Sequence, residues 1–309
     1  DEKCGTDVVI PETIDGYTVT EIQDGRWDST LGKTVSPFAN KGITTVNIPS
    51  SITYIGNLSF SANSIKDLNL NDGIESIASE AFYGNKISSL YLPNTLKRIG
   101  RNAFYSNELK EIDIPSSVTT IQGGAFAYNK ITGNNALVYG RNSDGSVDYT
   151  TLNSYAGQDA SGLVIPNTVK NIDYGAFRAV TGNYLEVPST VENLLYGAFW
   201  NSFIENIKLN EGLRTIGQSA FSNMKIKAID IPNSVETIGN TAFMNSSLQT
   251  VTIGSGIKTI GTNAFQYTEL ANGTIYNPIT SITINKKEGS ITGSPWGATK
   301  AQINWTGTK

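Results

Sequence analysis

The chain has 309 residues, 39% of them hydrophobic and 16% charged, and its 23 Lys and Arg against 27 Asp and Glu give a formal charge of -4. That balance describes an ordered polypeptide able to bury a core, with no basic stripe for nucleic acid and no apolar run long enough to span a membrane. With no histidine and one cysteine, Cys4, the composition also excludes Ser-His-Asp and Cys-His nucleophile systems, histidine metal sites and an internal disulfide framework.

No lipobox precedes Cys4, and the sequence opens without an initiator Met or a signal segment. It therefore reads as a segment of a longer chain, with an export signal expected upstream. A first strand is predicted around Val9 and Ile10, closed by Pro11. It lies in an N-terminal cap, residues 1–42, whose insertion at 23–36 carries Asp24, Trp27 and Asp28. Covering the open end of a core is the expected role of that insertion, with a binding loop as the alternative.

From Phe38 onward the chain repeats. Phe38, Phe60, Phe82, Phe104 and Phe126 are each 22 residues apart, as are Phe177, Phe199, Phe221, Phe243 and Phe265. Between these phenylalanines every unit has the same residue classes: Leu90 and Leu92, Pro93, Leu96, Ile99, Gly100, Ala103, then Phe104. The next unit places Ile112, Ile114, Pro115, Val118, Ile121, Ala125 and Phe126 in the same columns. Alternating apolar residues closed by proline predict a short strand, because alternation matches a pleat and proline cannot donate to a ladder. A step of three from Leu96 to Ile99 then suggests a 3₁₀-like or irregular return. Stacked coils would bring the phenylalanines together as an internal spine. Gly56, Gly100, Gly217, Gly239 and Gly261 fit a place needing positive φ or close backbone approach. Asn63, Asn85, Asn107 and Asn129 fall where side-chain amides can satisfy backbone groups at a bend.

Strands are thus predicted to end at Ile48, Leu70, Leu92 and Ile114, and again at Ile165, Val187, Leu209, Ile231, Ile253 and Ile284, with a closing strand at 303–305. The gap of 51 between Phe126 and Phe177 is one unit plus 29 residues. Within it, an insertion at 133–161 predicts a β-hairpin about Asp144-Gly145. Its Asn142, Asp144 and Asp148 resemble part of a calcium loop, but the full pattern is absent, and no metal is expected. A C-terminal cap, residues 271–309, has Trp296 in the phenylalanine place and Trp305 against the last edge.

Units such as LKRIGRNAFYSNELKEIDIPSSVTTIQGGAF resemble the BspA-like leucine-rich repeats of bacterial surface proteins, although Thr95, Ser117 and Ser234 stand where the commoner leucine-rich unit has Asn. The resemblance implies one leucine-rich-repeat solenoid over 1–309, with about twelve coils wound right-handed. It would have a parallel sheet on the concave face and irregular or 3₁₀ turns on the convex face. It further implies extracellular or cell-surface location, adhesion, and no catalytic residue to carry over.

Alternation then assigns outward side chains on the strand face. They include Asp67, Tyr91, Glu111, Asp113, Tyr184, Glu186, Lys208 and Asp230, an acidic strip with exposed aromatics suited to a protein or glycan ligand. Tyr83, Tyr105, Trp200 and Phe203 on the convex rim form the competing patch. The expected function is a non-catalytic adhesive binding module, monomeric and without cofactors; the alternative is a spacer presenting another domain.

Overall fold

The structure, a computed structural model, describes residues 5–307, so Cys4 lies outside the described residues. The chain is a β-solenoid of parallel strands arranged as two compact units. One comprises Asp1–Asp148 and Asn153–Gly157, the other Tyr149–Leu152 and Gln158–Lys309.

In the first unit, strands Asp7–Val9, Thr45–Ile48 and Asp67–Leu70 form a parallel sheet in which Val8, Val46 and Leu68 are in register. Val46, Ile48, Leu68 and Leu70 are buried, while Asp67 and Asn69 are exposed, as the alternation requires. Prolines close two further coils and open a turn: the carbonyls of Pro49, Pro93 and Pro115 accept from the N–H of Ile52, Leu96 and Val118 at 3.1, 3.0 and 3.1 Å. The return that follows differs from the expected 3₁₀ or irregular path. It carries a second parallel ladder of two-residue strands, Glu21–Ile22, Tyr54–Ile55, Ser76–Ile77, Arg98–Ile99 and Thr120–Ile121. Each ends on a buried isoleucine, whose branched Cβ favours extended backbone over a tight helical turn. Among the described residues the 3₁₀ helix is confined to Gly133–Ala136.

Inside lies the phenylalanine spine. Successive rings from Phe38 to Phe126 stack at 5.0, 5.4, 5.4 and 5.4 Å, and Phe60, Phe82, Phe104 and Phe126 are fully buried. Two left-handed residues flank each of these rings, such as Leu58 and Ala62 about Phe60, Glu80 and Gly84 about Phe82, and Asn102 and Ser106 about Phe104. The asparagines bind the coils together. Asn107 Oδ1 accepts from the Ile87 N–H at 3.1 Å, and its Nδ2 donates to the carbonyls of Phe82 and Phe104 at 2.9 and 3.2 Å. Asn63, Asn85 and Asn129 make the same contacts in their own coils. Gly56 and Gly100 meet the close-approach requirement: a Cβ on Gly100 would stand 2.4 Å from the Ser79 nitrogen.

The second unit repeats this plan. Its second ladder joins Asn171–Ile172, Asn193–Leu194, Thr215–Ile216, Thr237–Ile238 and Thr259–Ile260. Its long strands form two sheets: Leu185–Val187 pairs Ile207–Leu209, and Ala228–Ile231, Thr250–Ile253, Ser281–Ile284 and Gln302–Trp305 pair in turn. Rings from Phe177 to Phe265 stack at 5.0, 5.3, 5.1 and 5.1 Å. Here the asparagine place is held by Val180, Ser202, Met224 and Ser246, and Ser246 Oγ donates to the Phe221 carbonyl at 2.7 Å while accepting from the Met224 N–H at 3.3 Å. Trp296 is fully buried at the C-terminal end, with Trp305 edge-on at 6.4 Å. Along one flank, Lys170, Glu192, Arg214, Glu236 and Lys258 alternate in sign coil by coil; Lys170–Glu192, Arg214–Glu236 and Lys258–Glu236 are paired at 3.9, 3.6 and 2.6 Å.

The expected single sheet is divided among the described residues. Segments 89–92, 111–114 and 163–165 keep their outward and inward sides but have no strand partner, whereas their neighbours zip into ladders. The insertion at 133–161 is a hairpin of Leu137–Arg141 and Val147–Tyr155. Ser146 donates to Asp144 Oδ1 through its N–H and hydroxyl, at 2.9 and 2.6 Å, so that carboxylate is engaged in fixing the turn.

The N-terminal insertion is also a hairpin, Arg26–Asp28 with Lys33–Val35. Asp24 at its base accepts from the Tyr54 hydroxyl at 2.8 Å and the Asn57 N–H at 2.7 Å. Burial works to raise the Asp24 pKa, but these bonds prevail and hold it below the usual range. Burial and the same carboxylate push Tyr54 up to about 12. The insertion is thereby tied to the second ladder.

Candidate functional site

The outward positions of the long-strand column supply one patch in each unit. In the first unit, Asp67, Tyr91, Glu111 and Asp113 are all exposed, as alternation predicts. The Tyr91 side is 57% exposed, and its hydroxyl donates to Asp72 Oδ1 at 3.2 Å. Local desolvation and the Asp72 carboxylate raise the Tyr91 pKa. Next to Glu111, where segment 111–114 is unzipped, a hollow of about 450 Å³ opens against Lys110, Ile131, Thr132 and Asn135.

In the second unit Tyr184, Glu186, Lys208 and Asp230 are likewise exposed. The register sets Glu186 directly opposite Lys208, and Lys208 Nζ donates to Glu186 Oε1 at 2.9 Å. Asn210 Nδ2 donates to the same oxygen at 2.7 Å, and the Tyr184 hydroxyl to Oε2 at 3.4 Å. The Asn210 amide and the Lys208 ammonium hold the Glu186 carboxyl below its usual range, and the carboxylate in turn raises Lys208. Asp230 occupies the strand Ala228–Ile231, beyond this cluster and opposite Thr252. Because segment 163–165 does not zip onto Leu185–Val187, an open hollow of about 370 Å³ lies between them. Leu163, Val164, Tyr184, Glu186 and Pro188 are among its walls.

The eight predicted residues are therefore outward and exposed, four in each unit. Sequence reasoning missed Asp72 and Asn210, which fix Tyr91 and Glu186 from outside the strands, and also missed Val164. Val164 was within reach, since it holds the outward place in LVIP that Glu186 holds in LEVP. On the competing rim, Tyr83 and Tyr105 stack at 5.1 Å with Tyr105 buried, and Arg178 lies 4.5 Å over the Trp200 ring. Those rings serve packing between coils, while Phe203 is exposed.

Comparison with known proteins follows the repeats. Residues 34–136 and 151–272 match the BspA type leucine-rich repeat region, in 6 copies. No curated protein matches the sequence. Among solved structures, the pneumococcal vaccine antigen PcpA is similar with a TM-score of 0.60 and 18% identity, over 99% of this chain and 90% of that one. A leucine-rich cell surface protein from Faecalibacterium prausnitzii is similar at 0.55 and 20% identity, over 99% and 92%. A leucine-rich repeat protein from Eubacterium ventriosum gives 0.54 and 21%, over 85% and 66%. At these identities the likeness is one of fold.

Proposed function

Because the chain belongs to the BspA-type leucine-rich repeat family, we propose that it is a non-catalytic binding module at a bacterial cell surface, adhering to a host or neighbouring-cell protein or glycan. The observation that carries this reading is the outward strand face. Tyr91 and Tyr184 keep their rings in solvent while a neighbouring carboxylate fixes each hydroxyl. Orienting an exposed aromatic before contact reduces the ordering cost of association and marks the kind of residue that dominates interfaces. Surface location is supported by similar folds in PcpA, a vaccine antigen, and in a cell surface protein. Absence of histidine and the open form of the hollows support binding over turnover. No helix among the described residues is long and apolar enough to cross a membrane.

The spacer reading has its own support in the second unit, where Thr250, Thr252, Ser281 and Thr283 give the outward rows beyond Asp230 a uniform hydroxyl character. The test is a glycan array together with a panel of immobilised matrix proteins, using the intact chain and two double variants, Tyr91→Ala/Asp113→Ala and Tyr184→Ala/Glu186→Ala. A binding module retains at least one ligand, and one of the two variants loses it without a lower melting temperature. Binding that survives both variants but fails with Phe203→Ala moves the site to the rim, and no ligand on either surface favours the spacer.

A further inference from the structure

We propose that the hollow between segment 162–165 and the strand Leu185–Val187 is a seat for one neutral pyranose ring of a glycan. The inference rests on the binding-module reading and narrows its ligand class. At about 370 Å³ the hollow falls in the roughly 300–1,000 Å³ range of small-molecule sites. It lies where the ladder is interrupted: segment 163–165 has no strand partner while Leu185–Val187 pairs onward with Ile207–Leu209, and the gap lies between two adjacent rows of side chains.

The walls have two chemistries. Val164 is 66% exposed and Tyr184 45%, above a floor of buried Leu163 and Ile165, so an apolar face is available without rearranging the core. A pyranose presents C–H bonds on one face, and such a face packs on an aromatic ring and a branched aliphatic side chain. The other wall is Glu186, held from the side of the next strand by Lys208 and Asn210. Glu186 Oε1 is taken by Lys208 and Asn210, while Oε2 receives only the long bond from Tyr184 and retains acceptor capacity. A sugar hydroxyl can donate to Oε2, and the Lys208 pair keeps that carboxylate ionised and in place.

Charge decides between ligand classes. Glu186 and Lys208 cancel, so the hollow offers no net attraction to a basic peptide or a sulfated sugar. An apolar peptide side chain would use the aliphatic wall but would strip water from the ion pair without replacing its hydrogen bonds, which is unfavourable. Hydroxyls replace that water. A neutral sugar alone matches both walls.

The experiment is saturation-transfer difference NMR on the intact chain with the methyl glycosides of glucose, galactose, mannose and N-acetylglucosamine, each measured separately. At least one is expected to show transfer to ring C–H protons. Tyr184→Ala should weaken that sugar at least tenfold and Glu186→Ala about fivefold, while Tyr184→Phe, which keeps the ring, should change it less than twofold, all at unchanged melting temperature. The seat is refuted by no transfer from any of the four glycosides, or by transfer that persists in Tyr184→Ala. Binding to the matrix-protein panel separates the two levels: protein binding without sugar transfer removes the pyranose seat and leaves the module, and loss of both removes both.

Discussion

Replacing Asn107 by alanine tests the idea that side-chain amides join the coils of the first unit. The side chain is buried, with its Oδ1 on the Ile87 N–H at 3.1 Å and its Nδ2 on the carbonyls of Phe82 and Phe104 at 2.9 and 3.2 Å. Alanine leaves the Ile87 N–H buried without an acceptor, at a cost of about 1–3 kcal/mol. The two carbonyls are better placed, since Asn85 Nδ2 still reaches Phe82 O at 3.1 Å and Asn129 Nδ2 still reaches Phe104 O at 3.0 Å. Their loss is therefore that of ordinary bonds, about 0.5–1.5 kcal/mol each. Together these give a destabilisation of about 2–6 kcal/mol, read from urea-induced unfolding. Asn107→Ser supplies the control, because Ser246 at this place in the second unit donates to the Phe221 carbonyl but accepts from the Met224 N–H, two residues before the counterpart of Ile87. It should recover one carbonyl bond, about 0.5–1.5 kcal/mol relative to alanine, while both variants release the Ile87 amide to hydrogen exchange. A loss below about 1 kcal/mol for alanine, or equal losses for alanine and serine, would refute the argument.

Three further outcomes follow from the geometry. Gly100→Ala should destabilise by about 1–3 kcal/mol in thermal melts, because its Cβ would press on the Ser79 backbone, which cannot rotate away. Glu80 is left-handed, with φ 58°, at the place where other coils have Gly124, Gly175 and Gly197. Glu80→Gly should then leave stability unchanged or raise it by up to about 1 kcal/mol, and Glu80→Val should lower it by about 1–2 kcal/mol; chemical denaturation of the pair distinguishes strain from propensity. Tyr54 has a raised folded pKa, so its contribution is complete below the unfolded value of about 10 and is lost as pH rises through about 12. Wild type should lose stability relative to Tyr54→Phe across that window, and a parallel pH dependence in the two proteins would contradict the Asp24–Tyr54 bond.

Column chemistry made much of this fold legible in advance. A spacing of 22 between phenylalanines has one economical meaning, and the spine, the inward strand residues and the bridging asparagines stand where it puts them. The return path was misjudged, because a step of three from Leu96 to Ile99 suits a 3₁₀ turn equally well, and only the branched Ile99, Thr120 and Ile121 argue for extension. Left-handed residues about each ring went unseen, since Leu58, Glu80 and Thr241 are poor advertisements for positive φ. The outward residues of the candidate patches followed from alternation alone. Their fixation did not, because Asp72 and Asn210 lie beyond the strands, and the hollows depend on which neighbouring strands fail to zip, a tertiary outcome with no counterpart in a single repeat.

The alternating flank of the second unit bears on how such a protein can change length. Each cation among Lys170, Arg214 and Lys258 faces an anion one coil away and a cation two coils away. Excising one 22-residue turn would bring like charges together at the junction, whereas excising two restores opposite neighbours. Exposed pairs of this kind contribute at most about 1 kcal/mol each, a small bias, but one repeated at three of the four seams from Lys170 to Lys258. Gene-level duplication or loss in this unit is accordingly least disruptive in steps of 44 residues, and the charge order acts as a parity rule on the number of turns.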